Sequence, residues 1–287
     1  MGRLGRTDTL RILLGLLTGV ALISLTAGCG ERDVEKTLGE LSAASVESAY
    51  EVDRDPLIND WLNNIGQTLV SHSRRQDIPY SFKVVRTDLV NAFAAPYGHI
   101  YVTSGFLDFA ESEDEAWVVV GHETGHVVER HSISALKRSL LWSILTQIIR
   151  GENETIGDAV GLGLGLLSLR YSRDDEYEAD DIGTQLAWRA GYDPRGGLDF
   201  FERLMTEVEK HRPARWEVYF MTHPPTEERI KRQLRRPELD PARADSMVQI
   251  ARGYLRRGQP AMAVQLLAPP GGEAPSPPEV QTLLGDA

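Results

Sequence analysis

The run His122-Glu123-Thr124-Gly125-His126 constrains this chain more than any other feature of its sequence. Residues four apart on an α-helix lie about 40° apart around its axis, so imidazoles at these two positions can bind one ion. Apolar residues at helical spacing, Ser112 as a cap and acidic residues in the first turn predict a helix over 113–133. The sequence therefore predicts a helix that carries two metal ligands with a carboxylate between them.

A third ligand has to come from elsewhere, because a hydrolytic zinc site usually takes three protein ligands and leaves one position for water. On a continuous helix His131 lies about 180° around the axis from His122, so it is expected to face away from the ion. Glu129 lies on the ligand face but about two turns along the axis, which is too far. Glu176 shares a face with Asp180 on a later helix, predicted to end at Gly191, and is the expected third ligand.

Asp180 is expected to anchor one of the two histidines, because a metal-bound imidazole needs a partner for its second nitrogen. The alternative is that the acidic run 174–180 is a solvated helix start. A site of this kind would hold one Zn²⁺ per chain, although Mn or Co fits the same ligands. Zinc lowers the pKa of its bound water, and Glu123 would then act as the general base.

Residues 1–28 have the pattern of a signal peptide, with a basic start, an apolar stretch of about 16 residues and small residues at its end. The stretch is shorter than the roughly 20 residues that span a bilayer. The single cysteine, Cys29, closes the run Leu25-Thr26-Ala27-Gly28-Cys29, which resembles the bacterial lipobox. We expect a lipid anchor at Cys29 on the periplasmic side of the cell envelope, with Gly30 favouring the outer membrane. An ordinary exported cysteine is the alternative.

The charge balance argues against one class of partner. The chain carries 42 Asp and Glu against 31 Lys and Arg, a formal net charge of −11. Nucleic acids bind to broad cationic surfaces, so no nucleic acid is expected as a partner.

The rest of the mature domain, residues 29–238, reads as a helix, a small sheet and further helices. Helical spacing over 33–76 predicts a first helix, and short runs at 81–85, 90–94 and 99–102 predict a small antiparallel sheet ending in a hairpin. Apolar stretches at 139–149 and 159–169 are too short to span a membrane. They fit the core, a cover for the cleft or a membrane contact.

Residues 239–287 are predicted to form a short helical tail. Small and large residues alternate there as in a tetratricopeptide helix pair, at Ala251, Tyr254, Gly258, Ala261, Ala263 and Leu266. A single repeat cannot bury its face alone, so the tail must pack on the preceding domain or be incomplete. Simple C-terminal helices are the alternative.

Five motifs occur in the order found in one peptidase family: Asn91-Ala92-Phe93-Ala94, Gly98 to Gly105, Gly121 to His126, Glu176 to Asp180 and Thr222-His223-Pro224-Pro225. Over about residues 45–235 the chain resembles the gluzincin family of the CAAX prenyl endopeptidase, HtpX and BepA, and it is most similar to the soluble periplasmic branch. The resemblance implies an α+β, mainly helical fold with a zincin-like domain and an active-site helix. It also implies Glu176 as a ligand. Thr124 departs from an often apolar position without removing a ligand or the base.

The resemblance implies a zinc-dependent endopeptidase whose substrates are unfolded or misassembled envelope polypeptides. It makes His223 the first candidate for a catalytic donor to the carbonyl oxygen, with Tyr171, Arg173 and Arg229 as weaker candidates; a gating or structural role for His223 is the alternative. Strand 99–103 is expected at the sheet edge, where a substrate can add as a strand. The competing function is a chaperone-like or assembly-factor lipoprotein with a latent or structural zinc site, which would bind protein partners through its C-terminal helices.

Overall fold

A computed structural model of the chain describes residues 30–135, 138, 170–211, 222–223, 227–240 and 244–267. The predicted signal peptide, Cys29, the apolar stretches 139–149 and 159–169 and the last 20 residues, 268–287, lie outside these ranges. Within them, no helix combines the length and the apolar character needed to cross a membrane.

Two helices replace the single first helix predicted over 33–76. The elements are α1 at Glu31–Ala49, β1 at Glu51–Val52 and α2 at Pro56–Ser71. Helix α2 begins where the sequence provides a cap, because the Asp55 side chain accepts a hydrogen bond from the Leu57 amide and a proline follows it. Proline disfavours helical geometry at the residue before it, so one continuous helix cannot run through Asp55.

The sheet is small and mixed, with the strand order β1-β2-β4-β3. Its other strands are β2 at Ser81–Arg86, β3 at Ala92–Ala95 and β4 at His99–Thr103. The predicted hairpin is present, since β3 and β4 pair antiparallel across the turn Pro96–Gly98. The prediction of a wholly antiparallel sheet is wrong, because β4 also pairs with β2 and runs parallel to it.

The same pairing changes which strand lies at the edge. The chain leaves β2, passes outward to form β3 and turns back, so β4 fills the position between them. Strand β4 therefore has both of its edges paired, and the expectation that 99–103 forms the edge is wrong. The edge on this side of the sheet is β3.

Helix α4 is the centre of the fold. The helices described between the sheet and the C-terminal tail include α3 at Ser104–Phe109, α4 at Glu113–Val128, α5 at Arg173–Ala190, α6 at Gly196–His211 and α7 at Glu227–Gln233. Ser112 caps α4 as predicted, and every residue from Glu115 to Val128 is buried. The α+β, mainly helical fold class predicted from the sequence is confirmed.

Helices α4 and α5 pack with their backbones in contact. A Cβ atom at Gly121 would lie 2.9 Å from the carbonyl oxygen of Gly183, and one at Gly125 would lie 2.9 Å from that of Ala179. Real Cβ atoms do not approach so closely, so only glycine allows this spacing. The contact brings the first turns of α5, with Glu176 and Asp180, onto the histidine face of α4.

The tail forms a helix pair, α8 at Ala244–Arg256 and α9 at Pro260–Leu267. It packs on the preceding domain: Tyr254 Oη donates to Asp114 Oδ2 over 2.7 Å, and Arg257 Nη1 donates to the Gly191 carbonyl over 2.9 Å. The expected packing against the domain is therefore present. That the pair is a tetratricopeptide repeat stays a prediction.

Candidate metal centre

Four buried side chains converge at the inner end of α4. The donor atoms of His122, His126, Glu176 and His223 all lie within 4.8 Å of one another. The Nε2 atoms of His122 and His126 are 3.0 Å apart. Glu176 presents Oε2 at 3.6 Å from the first and Oε1 at 3.5 Å from the second. The structure thus brings the three predicted ligands together.

His223 completes the group from a distant part of the chain. Its Nδ1 atom lies 3.0 Å from Glu176 Oε1 and 3.3 Å from His122 Nε2. Its Nε2 atom lies 3.6 Å from Glu123 Oε1. His223 therefore faces both the ligand group and the predicted base.

The buried charges fit a divalent cation. Glu123, Glu176, Asp180 and Arg229 are each at most 6% exposed. Three carboxylates against one guanidinium leave an excess of negative charge, and neither Glu123 oxygen has a hydrogen-bond partner among the described residues. Buried charges are unstable unless they are paired or bind a metal. Imidazole nitrogens with a carboxylate oxygen are the donors that zinc takes in hydrolytic sites.

Asp180 and Arg229 lie behind the ligands. Arg229 donates to both Asp180 oxygens over 2.7 Å, and its Nη1 is 2.7 Å from Glu176 Oε2. Burial opposes ionisation of Asp180, but Arg229 outweighs it and lowers the pKa to about 2. Asp180 Oδ1 lies 2.9 Å from His122 Nδ1, which is the anchoring position predicted for it. Arg229, a weak candidate for an oxyanion donor, is instead engaged by the two carboxylates.

His131 contacts the other metal-face histidine. Its Nδ1 lies 3.0 Å from His126 Nδ1, and its Nε2 lies 3.2 Å from Glu178 Oε2. The prediction that His131 faces away assumed a helix that continues to 133. Helix α4 ends at Val128, and Arg130 has a φ of 60°, which turns the chain back toward the site.

The contacts of His131 fix proton positions. If His126 presents Nε2 to a metal, its Nδ1 carries the proton and donates to His131 Nδ1. His131 then carries its own proton on Nε2 and donates to Glu178. Burial lowers the pKa of His126 well below its usual value, which favours the neutral imidazole that a metal requires. Glu129, the other candidate on this helix, pairs with Arg74.

Tyr171 packs flat on His126, with ring centroids 3.9 Å apart and an angle of 22° between planes. Ser132 Oγ donates to the Ala94 carbonyl over 3.0 Å, so the 3.1 Å contact between Tyr171 and Ser132 is donated by the tyrosine. Burial, followed by nearby carboxylates, raises the pKa of Tyr171, which stays a phenol. Its one proton is thus engaged, while Arg173, another weak candidate, is exposed.

The edge strand β3 lies beside this group. Thr103 N donates to the Asn91 carbonyl over 3.0 Å, and the register pairs Ala92 with Val102 and Ala94 with Ile100. Because hydrogen-bonded and non-bonded pairs alternate along antiparallel strands, the backbone groups of Ala92 and Ala94 point away from β4. The contact of Ser132 with Ala94 agrees with that direction.

Comparison with known proteins gives consistent results. The profile of a family described as Peptidase family M48 matches residues 56–237. The beta-barrel assembly-enhancing protease of Escherichia coli (strain K12) is 30% identical over 210 residues, which cover 68% of this chain but only 42% of that protein. Metalloprotease YcaL of Escherichia coli (strain K12) is 30% identical over 215 residues, 71% of this chain and 74% of that protein. Mitochondrial metalloendopeptidase OMA1 of Arabidopsis thaliana is 38% identical over 133 residues, 46% of this chain and 27% of that protein.

We expect His131→Ala to weaken zinc binding about 10- to 100-fold, because His126 loses the partner that holds its orientation. Glu178→Gln should act in the same direction more weakly, since Glu178 is 60% exposed. Competition with a chromophoric chelator measures both affinities. His72→Ala, a change away from the site, is the control. Unchanged affinity in a folded His131→Ala protein would mean that the contact has no role in metal binding.

Proposed function

This chain belongs to peptidase family M48, and from that premise we propose that it is a zinc-dependent endopeptidase that hydrolyses unfolded or misassembled polypeptides of the cell envelope. The observation that carries the proposal is the buried group of two histidines and Glu176 beside a carboxylate, Glu123, that lacks a hydrogen-bond partner in the described part of the chain. This is the constellation that hydrolysis by zinc requires.

In this proposal His122, His126 and Glu176 hold the zinc. The ion, when bound, supplies Lewis acidity that activates water and polarises a peptide carbonyl. Glu123 takes a proton from the attacking water on its carboxylate and passes it to the leaving amine. Asp180 and His131 keep the two imidazoles in their binding orientation, and Arg229 holds Glu176 and Asp180.

The substrate would bind along β3 rather than β4. The backbone groups of Ala92 and the amide of Ala94 point away from β4, so they are the groups that would hydrogen-bond to an extended polypeptide at this edge. Binding through backbone groups favours chains that are unfolded or locally extended. The edge strand lies close to the metal group. Ser132 donates to the Ala94 carbonyl of β3, and Tyr171, which donates to Ser132, stacks on His126.

The place of action proposed is the periplasmic side of the envelope, with a lipid anchor at Cys29 and attachment to the outer membrane. The lipobox-like run and the signal-peptide pattern support the anchor. The relatives named beta-barrel assembly-enhancing proteases support an envelope role. The chain spans 42% of the length of the first of these relatives, so substrates and partners, including any bound through α8 and α9, are part of the proposal.

The position of His223 favours a second property, latency. Its Nδ1 atom lies among the donor atoms of His122, His126 and Glu176, 3.0 Å from Glu176 Oε1. If His223 bound the zinc as a fourth protein ligand, no position would remain for water, as in structural zinc sites. We therefore propose that this arrangement is an inactive state of the peptidase, in which His223 has to leave before catalysis.

We expect Glu123→Gln to reduce cleavage of unfolded casein at least 100-fold while zinc content stays that of the wild type, because the amide cannot take a proton. Product formation is followed by gel electrophoresis, and zinc by atomic absorption. Glu129→Gln is a matched control, since Glu129 directly follows the same helix and contacts Arg74 instead. Wild-type cleavage by a zinc-loaded Glu123→Gln protein would exclude the mechanism.

For His223→Ala we expect cleavage of a short fluorogenic peptide to rise severalfold, because the variant leaves the fourth position open to water. The His99→Ala variant, altered away from the group of four, should be unchanged. Zinc content is measured alongside the rate. A lower rate with full zinc occupancy would instead assign His223 to catalysis, as a donor to the carbonyl oxygen.

The anchor is tested in bacteria that express the full chain with radiolabelled palmitate. The wild-type protein should incorporate label and fractionate with membranes, whereas Cys29→Ala should lose both properties because it has no other thiol. Ser45→Ala serves as a control for expression. Label that persists in Cys29→Ala would exclude Cys29 as the site of lipidation.

A further inference from the structure

A paired groove follows one face of α2, away from the metal group. An apolar groove of about 490 Å³ is lined by Leu57, Ile58 and Trp61 together with Leu107 and Ala116. It meets a second, more polar groove of about 450 Å³, which shares Trp61 and Glu113 with it and continues along α2 past Asn64, Ile65 and Thr68. From Leu57 to Thr68 the helix rises about 16 Å. This paired groove is long enough for about five residues of extended chain.

The apolar half exposes a large side chain. Leu57 is 79% exposed, the highest value among the large apolar side chains of the described region that are exposed. It lines the apolar groove together with Ile58 and Leu107. Covering apolar surface of this kind with an apolar side chain stabilises a complex.

The polar half ends at uncompensated positive charge. Arg256 lines it, and its hydrogen-bond partner among the described residues is the Ala190 carbonyl; that of the neighbouring Arg189 is the His72 carbonyl. In the described parts of the chain neither arginine pairs with a carboxylate. Burial, followed by the charges of these two arginines, lowers the pKa of His72. The guanidinium groups of Arg189 and Arg256 therefore both lie near His72.

The acids near the groove do not neutralise Arg256. Glu113 Oε1 accepts from Trp61 Nε1 over 3.1 Å, and its Oε2 lies 3.7 Å from Arg257 Nε. Asp114 accepts from Tyr254. On a chain with a formal charge of −11, two unpaired arginines beside a groove mark a place where an anion is favoured.

We propose that the paired groove binds an extended polypeptide segment in which an apolar side chain lies about five residues from a carboxylate. The apolar side chain covers Leu57 and Ile58, and the carboxylate pairs with Arg256. The aromatic and amide side chains between them suit a peptide backbone. A membrane surface is the alternative occupant, and the test separates it from a polypeptide.

The test uses the full-length Glu123→Gln protein, so that binding is measured without cleavage and independently of the proposed activity. The probe is the peptide acetyl-Leu-Leu-Gly-Ser-Gly-Asp-Asp-amide, and a counterpart ending in Asn-Asn is compared with it. Calorimetry gives the affinities, and tryptophan fluorescence reports on Trp61 and Trp117 in the groove.

We expect Arg256→Ala and Leu57→Ser each to weaken binding of the acidic peptide about fivefold. Arg252→Ala, an exposed change on the same helix, and Leu234→Ser, at another exposed leucine, should leave it unchanged. The Asn-Asn peptide should bind more weakly and lose its dependence on Arg256.

Three results would overturn the proposal. The first is that the acidic peptide binds no more tightly than the Asn-Asn peptide, whether both bind equally or neither binds. The second is binding of anionic phospholipid vesicles that depends on Arg256 without peptide binding, which would assign the groove to a membrane. The third is self-association in sedimentation that Leu57→Ser abolishes, which would assign it to a second copy of the chain.

Discussion

The metal group depends on the backbone contact between α4 and α5. Gly121 and Gly125 on one helix meet Ala179 and Gly183 on the other, and both sets repeat every four residues. A Cβ at Gly183 would lie 2.6 Å from the backbone nitrogen of His122, so a side chain there would push the ligand-bearing helix away. Interhelical distances are normally 8–10 Å, and carboxylates are short. Glu176 reaches both histidines because these small residues bring its helix so close.

Charge is the second constraint, and it explains the partners behind the ligands. A buried carboxylate without a partner costs several kcal/mol, so Glu176 and Asp180 both need a cation. Arg229 supplies it for both carboxylates, and a zinc ion at the proposed site would add a second cation beside Glu176. His122 and His126 each have a further polar contact, to Asp180 and His131 respectively. The group is therefore held from outside before an ion binds, which lowers the reorganisation that binding requires.

The sequence was most informative where function is carried by local spacing. The cap at Ser112, the ends of α5 and the pairing of Glu176 with Asp180 on one face all follow from helical periodicity, and the structure has each of them. Spacing failed where the chain leaves a regular path. The position of His131 depends on the left-handed backbone conformation of Arg130, which a periodic pattern does not predict. The prediction of the strand order failed for a similar reason, since local alternation of apolar and polar residues identifies a strand but not its neighbours in the sheet. The sequence did contain a clue to the role of Arg229, because two buried acids one turn apart, Glu176 and Asp180, need a cation nearby.

Helix α4 connects the metal group to the rest of the molecule as a rigid element. The acids of its first turn favour the helix dipole, and each also contacts a different helix. Glu113 accepts from Trp61 of α2, Asp114 from Tyr254 of α8, and Glu115 from Arg203 of α6 over 2.7 Å. The chemistry lies at the other end, about 15 Å along the axis from Glu113 to Glu123. Because both ends belong to one buried helix, the separation between the paired groove and the metal group is fixed.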